Sequence, residues 1–370
     1  MEIEGKDNEA ILNALFQGRK INIDKGRLFG IPTAPKSPAF NFARVEGMLL
    51  GVAIGDALGI TSEGNTPRLR HGLHGEIRDY IPNRYVDEAR GFPSDDTQLS
   101  FWALEQLIKD EEFIPANVAK RFATGGRIFG IGSTMKEFLT NFKSGKAWYE
   151  CGPKSAGNGA IMRIAPFLVP HLHAGGTGLW VDTALAAMMT HNDRGSISAC
   201  LAFIALLWEL LDKNKTPPPE WWIERYVEVA CDLEGDTHFI PRGGVFSDYR
   251  GPIWLFVREK VAQAYRDNLP VVKACDQWYS GAFLLETVPS VLYILMRYAD
   301  DPEEAIVRAV NDTKDNDTIA SIVGAAIGAL HGRDGIPERW ITNLSGRTTV
   351  DDDGRIFDLI REARTTFWND

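Results

Sequence analysis

The chain has 370 residues, of which 44% are hydrophobic and 24% are charged, with 35 glycines and 19 prolines. This mixture is typical of a globular protein and excludes a collagen-like, disordered or disulfide-scaffold class. The formal net charge of −10 argues against a nucleic-acid partner, since phosphates would be repelled. At this length about three quarters of the surface is buried on folding, so the core needs no structural metal or disulfide.

The cysteines and the start of the chain predict a cytoplasmic location. The four cysteines are widely separated and form neither a CxxC pair nor a Cys/His zinc spacing, which favours a reducing compartment. The first residues are acidic and lack the basic and apolar regions of a signal peptide. We predict no membrane span, because the most apolar stretch, 197–211, is shorter than the roughly 20 residues that a bilayer requires.

Residues 1–44 differ from the rest and are predicted to be an N-terminal extension. A short amphipathic helix is predicted over 8–16, and Gly18 ends it. Three prolines between positions 30 and 38 then favour an extended path. Such a segment cannot bury a core of its own. It must therefore lie on the main domain, remain mobile or dock on a partner.

Helical patterns dominate the main domain, predicted over 45–370, and indicate an all-α fold. Residues 46–59 carry a glycine at every fourth position, and on a helix this spacing forms one ridge. A second helix could approach that ridge closely, despite the roughly 1 kcal/mol that each interior glycine costs relative to alanine. Amphipathic spacing predicts further helices at 97–108 and 319–330. Other helices are predicted at 118–121, 181–190, 197–211, 221–231, 253–268, 283–298, 302–310 and 355–367, and a further helical pattern starts at Thr134.

Two predicted helix starts combine adjacent carboxylates with hydroxyls, Ser-Asp-Asp-Thr at 94–97 and Asp-Asn-Asp-Thr at 315–318. Helix capping explains either cluster alone, because Ser and Asp are favoured caps and acids complement the helix dipole. If the two starts converge, their four carboxylates and three hydroxyls form an all-oxygen site that suits Mg²⁺, Mn²⁺ or Ca²⁺. Two ions fit four carboxylates better than one. Spacing alone does not show that the starts converge.

Several motifs follow one another along the chain in a characteristic order. They are Gly51-Val-Ala-Ile-Gly-Asp-Ala-Leu-Gly59 with Glu63 after it, Ser94-Asp-Asp-Thr-Gln98, Gly157-Asn-Gly-Ala-Ile-Met-Arg163 with Ala165-Pro166, Thr190-His191, and Asp315-Asn-Asp-Thr-Ile-Ala320. Singly these motifs are weak signals, but in this order, over about 45–332, the chain resembles the ADP-ribosylglycohydrolase family. The resemblance implies a compact orthogonal helical bundle with a dinuclear magnesium site, which cleaves ADP-ribose from a modified side chain.

The resemblance also implies roles for individual acids and hydroxyls. Where this chain has Ser94, the family more often has Thr, and this departure should be tolerated because both residues carry a hydroxyl. Where this chain has Asn316, the family more often has Thr or Ser, and the Asn316 side chain need not bind metal. Glu63 is expected to contribute to catalysis or to gate the site, although an exposed loop carboxylate is the alternative, and Asp96 could share the proton transfer. The implied ligands of two Mg²⁺ ions, with Mn²⁺ as a substitute, are Ser94, Asp95, Asp96, Asp315, Asp317 and Thr318.

Substrate-binding roles follow from the same resemblance. The loop at 129–133 resembles the glycine loop that receives the diphosphate, and glycines there would let backbone N–H groups approach phosphate oxygens. Alone, this loop is an ordinary turn, and a lone histidine such as His191 is as readily a buried structural residue. The implied substrate-binding residues are Phe129, Gly130, Gly132, Ser133, Gly157, Asn158, Gly159 and His191.

The predicted reaction is hydrolysis of the N-glycosidic bond between the distal ribose and an arginine of an ADP-ribosylated protein. A serine or O-acetyl linkage is the alternative within the same class. The extension at 1–44 resembles an arrangement found in bacterial immunity proteins, which predicts stoichiometric inhibition of a cognate ADP-ribosyltransferase toxin. Residues 8–16 and 27–42 would dock, and their deletion would leave hydrolysis intact. A catalytically inactive family member is a third hypothesis, which the complete aspartate pairs oppose.

Overall fold

The computed structural model of the protein describes residues 5–82, 89–351 and 354–368. In this part the chain forms seventeen α-helices with short 3₁₀ turns, and its β-pairing is limited to isolated bridges. The all-α prediction is confirmed. Residues 1–4 of the predicted extension lie outside the described residues. The helices are α1 (Asn8–Gln17), α2 (Ala43–Gly59), α3 (Pro67–His74), α4 (Asp95–Asp110), α5 (Pro115–Thr124), α6 (Ser133–Lys143), α7 (Gly178–Thr190), α8 (Arg194–Leu210), α9 (Pro219–Glu234), α10 (Ile253–Phe256), α11 (Ala262–Arg266), α12 (Val271–Gln277), α13 (Leu284–Tyr298), α14 (Pro302–Asp312), α15 (Asn316–His331), α16 (Glu338–Thr342) and α17 (Arg355–Phe367).

The glycine ridge of α2 packs directly against a second glycine ridge on α15. A Cβ atom on Gly51 would lie 2.0 Å from the carbonyl oxygen of Gly324, and one on Gly328 would lie 1.9 Å from that of Gly47. Real side chains never approach so closely, so the two backbones touch because neither residue carries a Cβ. The predicted close approach at the ridge is confirmed. The two helices are antiparallel, which brings the end of α2 to the start of α15.

Helices with a buried apolar face agree with their predictions, whereas polar or short helices do not. Predicted and observed bounds differ by a few residues at most for α7, α8, α13 and α17. The predicted helix at 253–268 is interrupted by a π-helical turn, Val257–Val261, between α10 and α11. Sequence analysis missed α3, α12 and α16. In α3 the apolar residues Leu69 and Leu73 are exposed, so no core-facing pattern marks the helix.

The described part of the N-terminal extension lies on the main domain. Three apolar residues of α1, Ile11, Leu12 and Leu15, are buried, and α1 packs against α7. Farther along, the buried Lys36 ammonium donates hydrogen bonds to the Trp208 carbonyl and to Asp212, both at 2.6 Å. The apolar face of α1 is therefore covered by the chain itself, which corrects the expectation that this face docks on a partner. A deletion of the extension would expose core surface.

One helical stretch in the described part of the chain, Ala43–Ser62, is long and apolar enough to cross a membrane by length and composition. Two charged residues within this stretch, Glu46 and Asp56, already oppose a membrane role in the sequence. Of its most apolar window, 83% is buried inside the fold. This burial is what a core helix requires.

Candidate functional site

Asp56 on α2 joins the start of α4 to the α2/α15 pair. Its carboxylate accepts hydrogen bonds from the backbone N–H groups of Ser94 and Thr97 at 2.8 and 3.0 Å. It also accepts from their hydroxyls at 2.8 and 2.6 Å. Because α15 begins beside the end of α2, the starts of α4 and α15 meet there. The convergence that sequence spacing could not show is thereby present.

Asp56 is the site residue that sequence reasoning missed. It lies within the glycine motif and is fully buried, but we treated it only as evidence against a membrane span. The available signal was its position near the end of a helix that is apolar on almost every side. A carboxylate in such a helix must be hydrogen-bonded or must face a cation. That reasoning alone would have added it to the candidates.

Two groups of carboxylates lie close enough to hold cations. One oxygen each from Asp56, Asp96 and Asp317 lie within 4.8 Å of one another, and so do oxygens from Glu63, Asp315 and Asp317. Asp317 is common to both groups. The Oδ1 atom of Asp96 is buried and has no hydrogen-bond partner among the described residues. A buried, unpartnered carboxylate oxygen in an all-oxygen donor set fits a hard divalent cation.

The remaining predicted ligands lie around these groups. Asp95 lines the cleft in front of the site but belongs to neither group. The Thr318 hydroxyl donates to Oδ2 of Asp96 at 3.3 Å. Ser94 is buried behind the cleft, where its hydroxyl donates to Asp56. The carboxylates and Thr318 are therefore brought together. The Ser94 hydroxyl proton, in contrast, is used in its hydrogen bond to Asp56 and does not face the cleft.

Burial and mutual repulsion act in the same direction on these acids. Burial, followed by the charge of Asp56, raises the pKa of Asp96 well above its usual range and that of Asp95 to about 7. Burial raises the pKa of Asp315 to about 7, and burial with the neighbouring Asp56 raises that of Glu63. So many carboxylates in one place oppose each other's ionisation. A bound cation would reverse that effect.

The acids form the floor of a cleft of about 340 Å³. Asn158 on its wall donates from Nδ2 to Oδ2 of Asp315 at 2.5 Å and to the Thr287 hydroxyl at 3.0 Å. This amide fixes the orientation of the Asp315 carboxylate. Phe129 is not among the lining residues, and its backbone N–H donates to Gln98. The predicted substrate residues that line the cleft are Gly130, Gly132, Ser133, Gly157, Asn158, Gly159 and His191.

The loop before α6 has the features of an anion site. Gly130 has a φ of +77°, and a Cβ atom there would lie 2.7 Å from Oδ1 of Asp95, so glycine is required for both reasons. Gly132 is the N-cap of α6, and no side-chain hydrogen bond caps the helix. Its first backbone N–H groups therefore keep their capacity to bind an anion at the cleft.

His191 is held as a neutral ring in the wall of the cleft. Arg163 donates to the Thr190 hydroxyl, and that hydroxyl lies 2.9 Å from Nδ1 of His191. The Thr190 oxygen accepts from Arg163, and donation of its own proton to Nδ1 would place the imidazole proton on Nε2. Nε2 faces Gly157 and Gly159 in the cleft wall. Burial, then the charge of Arg163, lowers the pKa of His191 to about 3, so the ring stays neutral.

Comparisons with known proteins agree with this geometry. A family model described as ADP-ribosylglycohydrolase matches residues 37–366. The ADP-ribosylarginine hydrolase Tri1 of Pseudomonas putida is 26% identical, over 82% of this chain and 74% of its own. The ADP-ribosyl-[dinitrogen reductase] glycohydrolase of Rhodospirillum rubrum is 25% identical, over 81% of this chain and 90% of its own. A solved structure titled ADP-ribosylglycohydrolase-related protein complex shares the fold, with a TM-score of 0.62 at 22% identity, covering 89% of this chain and 98% of that one.

Proposed function

Because the chain belongs to the ADP-ribosylglycohydrolase family, we propose that it hydrolyses the bond between ADP-ribose and an arginine side chain of a modified protein, in a reaction that requires Mg²⁺. The observation that carries this proposal is the convergence of three helix ends on one acidic cleft. Arginine as the acceptor is supported by the names of the relatives from Pseudomonas putida and Serratia proteamaculans. The serine and O-acetyl linkages remain the alternatives that the experiment below separates.

Two Mg²⁺ ions fit the two carboxylate groups, with Mn²⁺ as a substitute of the same ligand preference. Asp317 would bind both ions, Asp56 and Asp96 would complete one group, and Glu63 and Asp315 the other. Asp95, Ser94 and Thr318 would support the site from its edge. When bound, the ions supply positive charge that orients ribose hydroxyls and lowers the pKa of water.

The chain's own residues then provide proton transfer and orientation. Glu63 lines the open side of the cleft, so the carboxylate oxygen that does not hold an ion can take the proton from the water that attacks C1″ of the distal ribose. The C1″–N bond breaks as the new C1″–O bond forms, and the departing guanidine takes up the proton that the water gave to Glu63. Positive charge that develops at C1″ is stabilised by nearby carboxylates, among them the buried Asp96.

The test is release of ADP-ribose from mono-ADP-ribosylated arginine, serine and O-acetyl substrates, with Mg²⁺ varied and with a chelator. We expect turnover of the arginine substrate only, and a loss on the order of 100-fold for Asp315→Asn combined with Asp317→Asn. Asp334→Asn, which changes a carboxylate that is 93% exposed, is the control and should retain activity. Unchanged, Mg²⁺-independent turnover by the double variant would refute the mechanism.

A second role, inhibition of a cognate ADP-ribosyltransferase toxin, is proposed for the exposed side of the extension. Arg19, Lys25 and Arg27 are exposed there, whereas the apolar side of α1 is buried. Such a basic surface suits an acidic partner. Because deletion would disturb the core, the test is the charge-reversed variant Arg19→Glu with Lys25→Glu. The variant should lose toxin inhibition and keep hydrolysis. Equal inhibition of the toxin by the variant and the wild type would refute the proposal.

A cytoplasmic location is part of the same proposal. All four cysteines are free thiols, and three of them are buried. Free thiols suit a compartment that keeps them reduced. Cell fractionation with an antibody to the chain would test this location.

A further inference from the structure

Charge in the cleft is strongly unbalanced. Among the described residues that line it, Arg242 alone carries a fixed positive charge. The diphosphate of ADP-ribose is an anion, and carboxylates repel it. Binding therefore needs positively charged or N–H groups placed beside the phosphates. The opposing carboxylates are those of Glu63, Asp95, Asp96, Asp315 and Asp317.

Arg242 is held in place by a buried carboxylate. The side chain of Glu286, in the first turn of α13, has no solvent exposure. It accepts hydrogen bonds from Nε of Arg242 at 3.1 Å and from Nη2 at 2.8 Å. It also accepts from the backbone N–H of Arg242 at 3.0 Å. This two-pronged pairing fixes both the loop and the plane of the guanidinium.

The opposite edge of the guanidinium remains available. Nη1 of Arg242 makes no hydrogen bond with a described residue, and the side chain is 51% exposed. The guanidinium packs over the Phe283 ring at 5.4 Å. Phe283 forms a β-bridge with Gly157, so Arg242 lies beside the 157–159 loop of the cleft. The N–H groups of Nη1 can therefore meet a ligand without breaking the pair with Glu286.

We propose that Arg242 binds the diphosphate of ADP-ribose through Nη1, with Glu286 as its positioning residue. This inference rests on the proposed function, which supplies the ligand. Glu286 offsets the charge of Arg242, so the contribution is a directed, charge-assisted hydrogen bond and not a long-range attraction. Its effect should appear with a ligand that carries phosphate and vanish with one that does not.

The test compares binding of ADP-ribose and of adenosine to the full chain by titration calorimetry in Mg²⁺ buffer. Arg242→Met alone would leave Glu286 buried without a partner and could unfold the chain. The variants are therefore Arg242→Lys, which keeps the ion pair, and Arg242→Met combined with Glu286→Gln, which removes both charges. We expect the Kd for ADP-ribose to rise about tenfold in each, with the Kd for adenosine changed less than about twofold.

The control is Arg250→Met, which removes a charge from the same loop. Arg250 donates to the carbonyls of Ser247 and Tyr249 in that loop and does not line the cleft, so both Kd values should stay at wild-type values. An unchanged ADP-ribose Kd in both Arg242 variants overturns the inference, and so does equal weakening of ADP-ribose and adenosine. Failure of the wild-type chain to bind ADP-ribose would refute the proposed function and this inference with it.

Discussion

The contact between Gly51 and Gly324 makes the position of the acidic site depend on a missing methyl group. In the variant Gly51→Ala the new Cβ would lie 2.0 Å from the Gly324 carbonyl oxygen and 2.4 Å from its carbon. Ordinary contact begins at 3.4 Å. The obstructing atoms belong to the backbone of α15, so no side chain can rotate away. The helices must separate locally by about 1.4 Å, in an interior that is already close-packed.

The magnitude follows from two opposing effects. Overpacking a core costs about 1–3 kcal/mol, and contact with a rigid backbone belongs at the upper end of that range. Alanine recovers about 1 kcal/mol of helix propensity relative to glycine. We therefore expect the free energy of unfolding to fall by about 2 kcal/mol for Gly51→Ala. Activity should fall further, because separation of the helices moves Asp56 away from Asp317.

Urea unfolding followed by circular dichroism measures the first effect, and ADP-ribose release the second. Gly72→Ala is a matched control, since Gly72 also lies inside a helix, α3, but a Cβ there would meet nothing within 4 Å. That variant should gain about 0.5–1 kcal/mol. If Gly51→Ala were as stable as the wild type, or if both variants shifted in the same direction, the account of the helix contact would be wrong.

Two further predictions concern buried polar groups. Thr190→Val removes the hydroxyl between Arg163 and His191, so the Kd for ADP-ribose measured by calorimetry should rise about tenfold. Thr190→Ser keeps the hydroxyl and should bind ADP-ribose as the wild type does. Equal loss of affinity in both variants would refute the hydrogen-bond relay. Burial raises the pKa of Glu234 to about 7, above its unfolded value of 4.5, so its contribution to stability is complete below pH 4.5 and is lost as pH rises through 7. Between pH 4.5 and 7 the free energy of unfolding of the wild type, measured in urea, should fall by about 3 kcal/mol relative to that of Glu234→Gln. Parallel changes of the two free energies with pH would contradict this prediction.

Features of the site that arise within one helix could be predicted from the sequence. The four-residue spacing of glycines on α2 indicated a close helix contact, because helical periodicity translates sequence directly into a ridge. The acids at the starts of α4 and α15 were identified for the same reason. Local patterns did not show which helix the ridge meets, since the matching Gly324 and Gly328 lie far along the chain.

The roles that could not be predicted depend on contacts between distant segments. Glu286 and Arg242 carry no local motif, and only the fold places one beneath the other. The extension gave three equally open alternatives, because an amphipathic helix such as α1 has the same pattern whether its apolar face meets its own chain or a partner. Packing on α7 shows that the apolar face of α1 lies on its own chain, and docking by the exposed side of the extension stays a proposal.

The capping hypothesis and the metal hypothesis for the two acidic clusters make different demands on the same side chains. Ser94 and Asp315 occupy the N-cap positions of α4 and α15, yet neither side chain caps its helix. At α4 the free N–H groups are instead satisfied by Asp56 from another helix. Because Asp56 performs that role, Asp96 need not cap the helix, and its Oδ1 atom has no hydrogen-bond partner among the described residues. At α15 the Asp317 carboxylate does accept a hydrogen bond from the backbone N–H of Thr318 at 2.8 Å, yet it still belongs to both carboxylate groups. Capping alone would not produce this arrangement, whereas cation binding requires it.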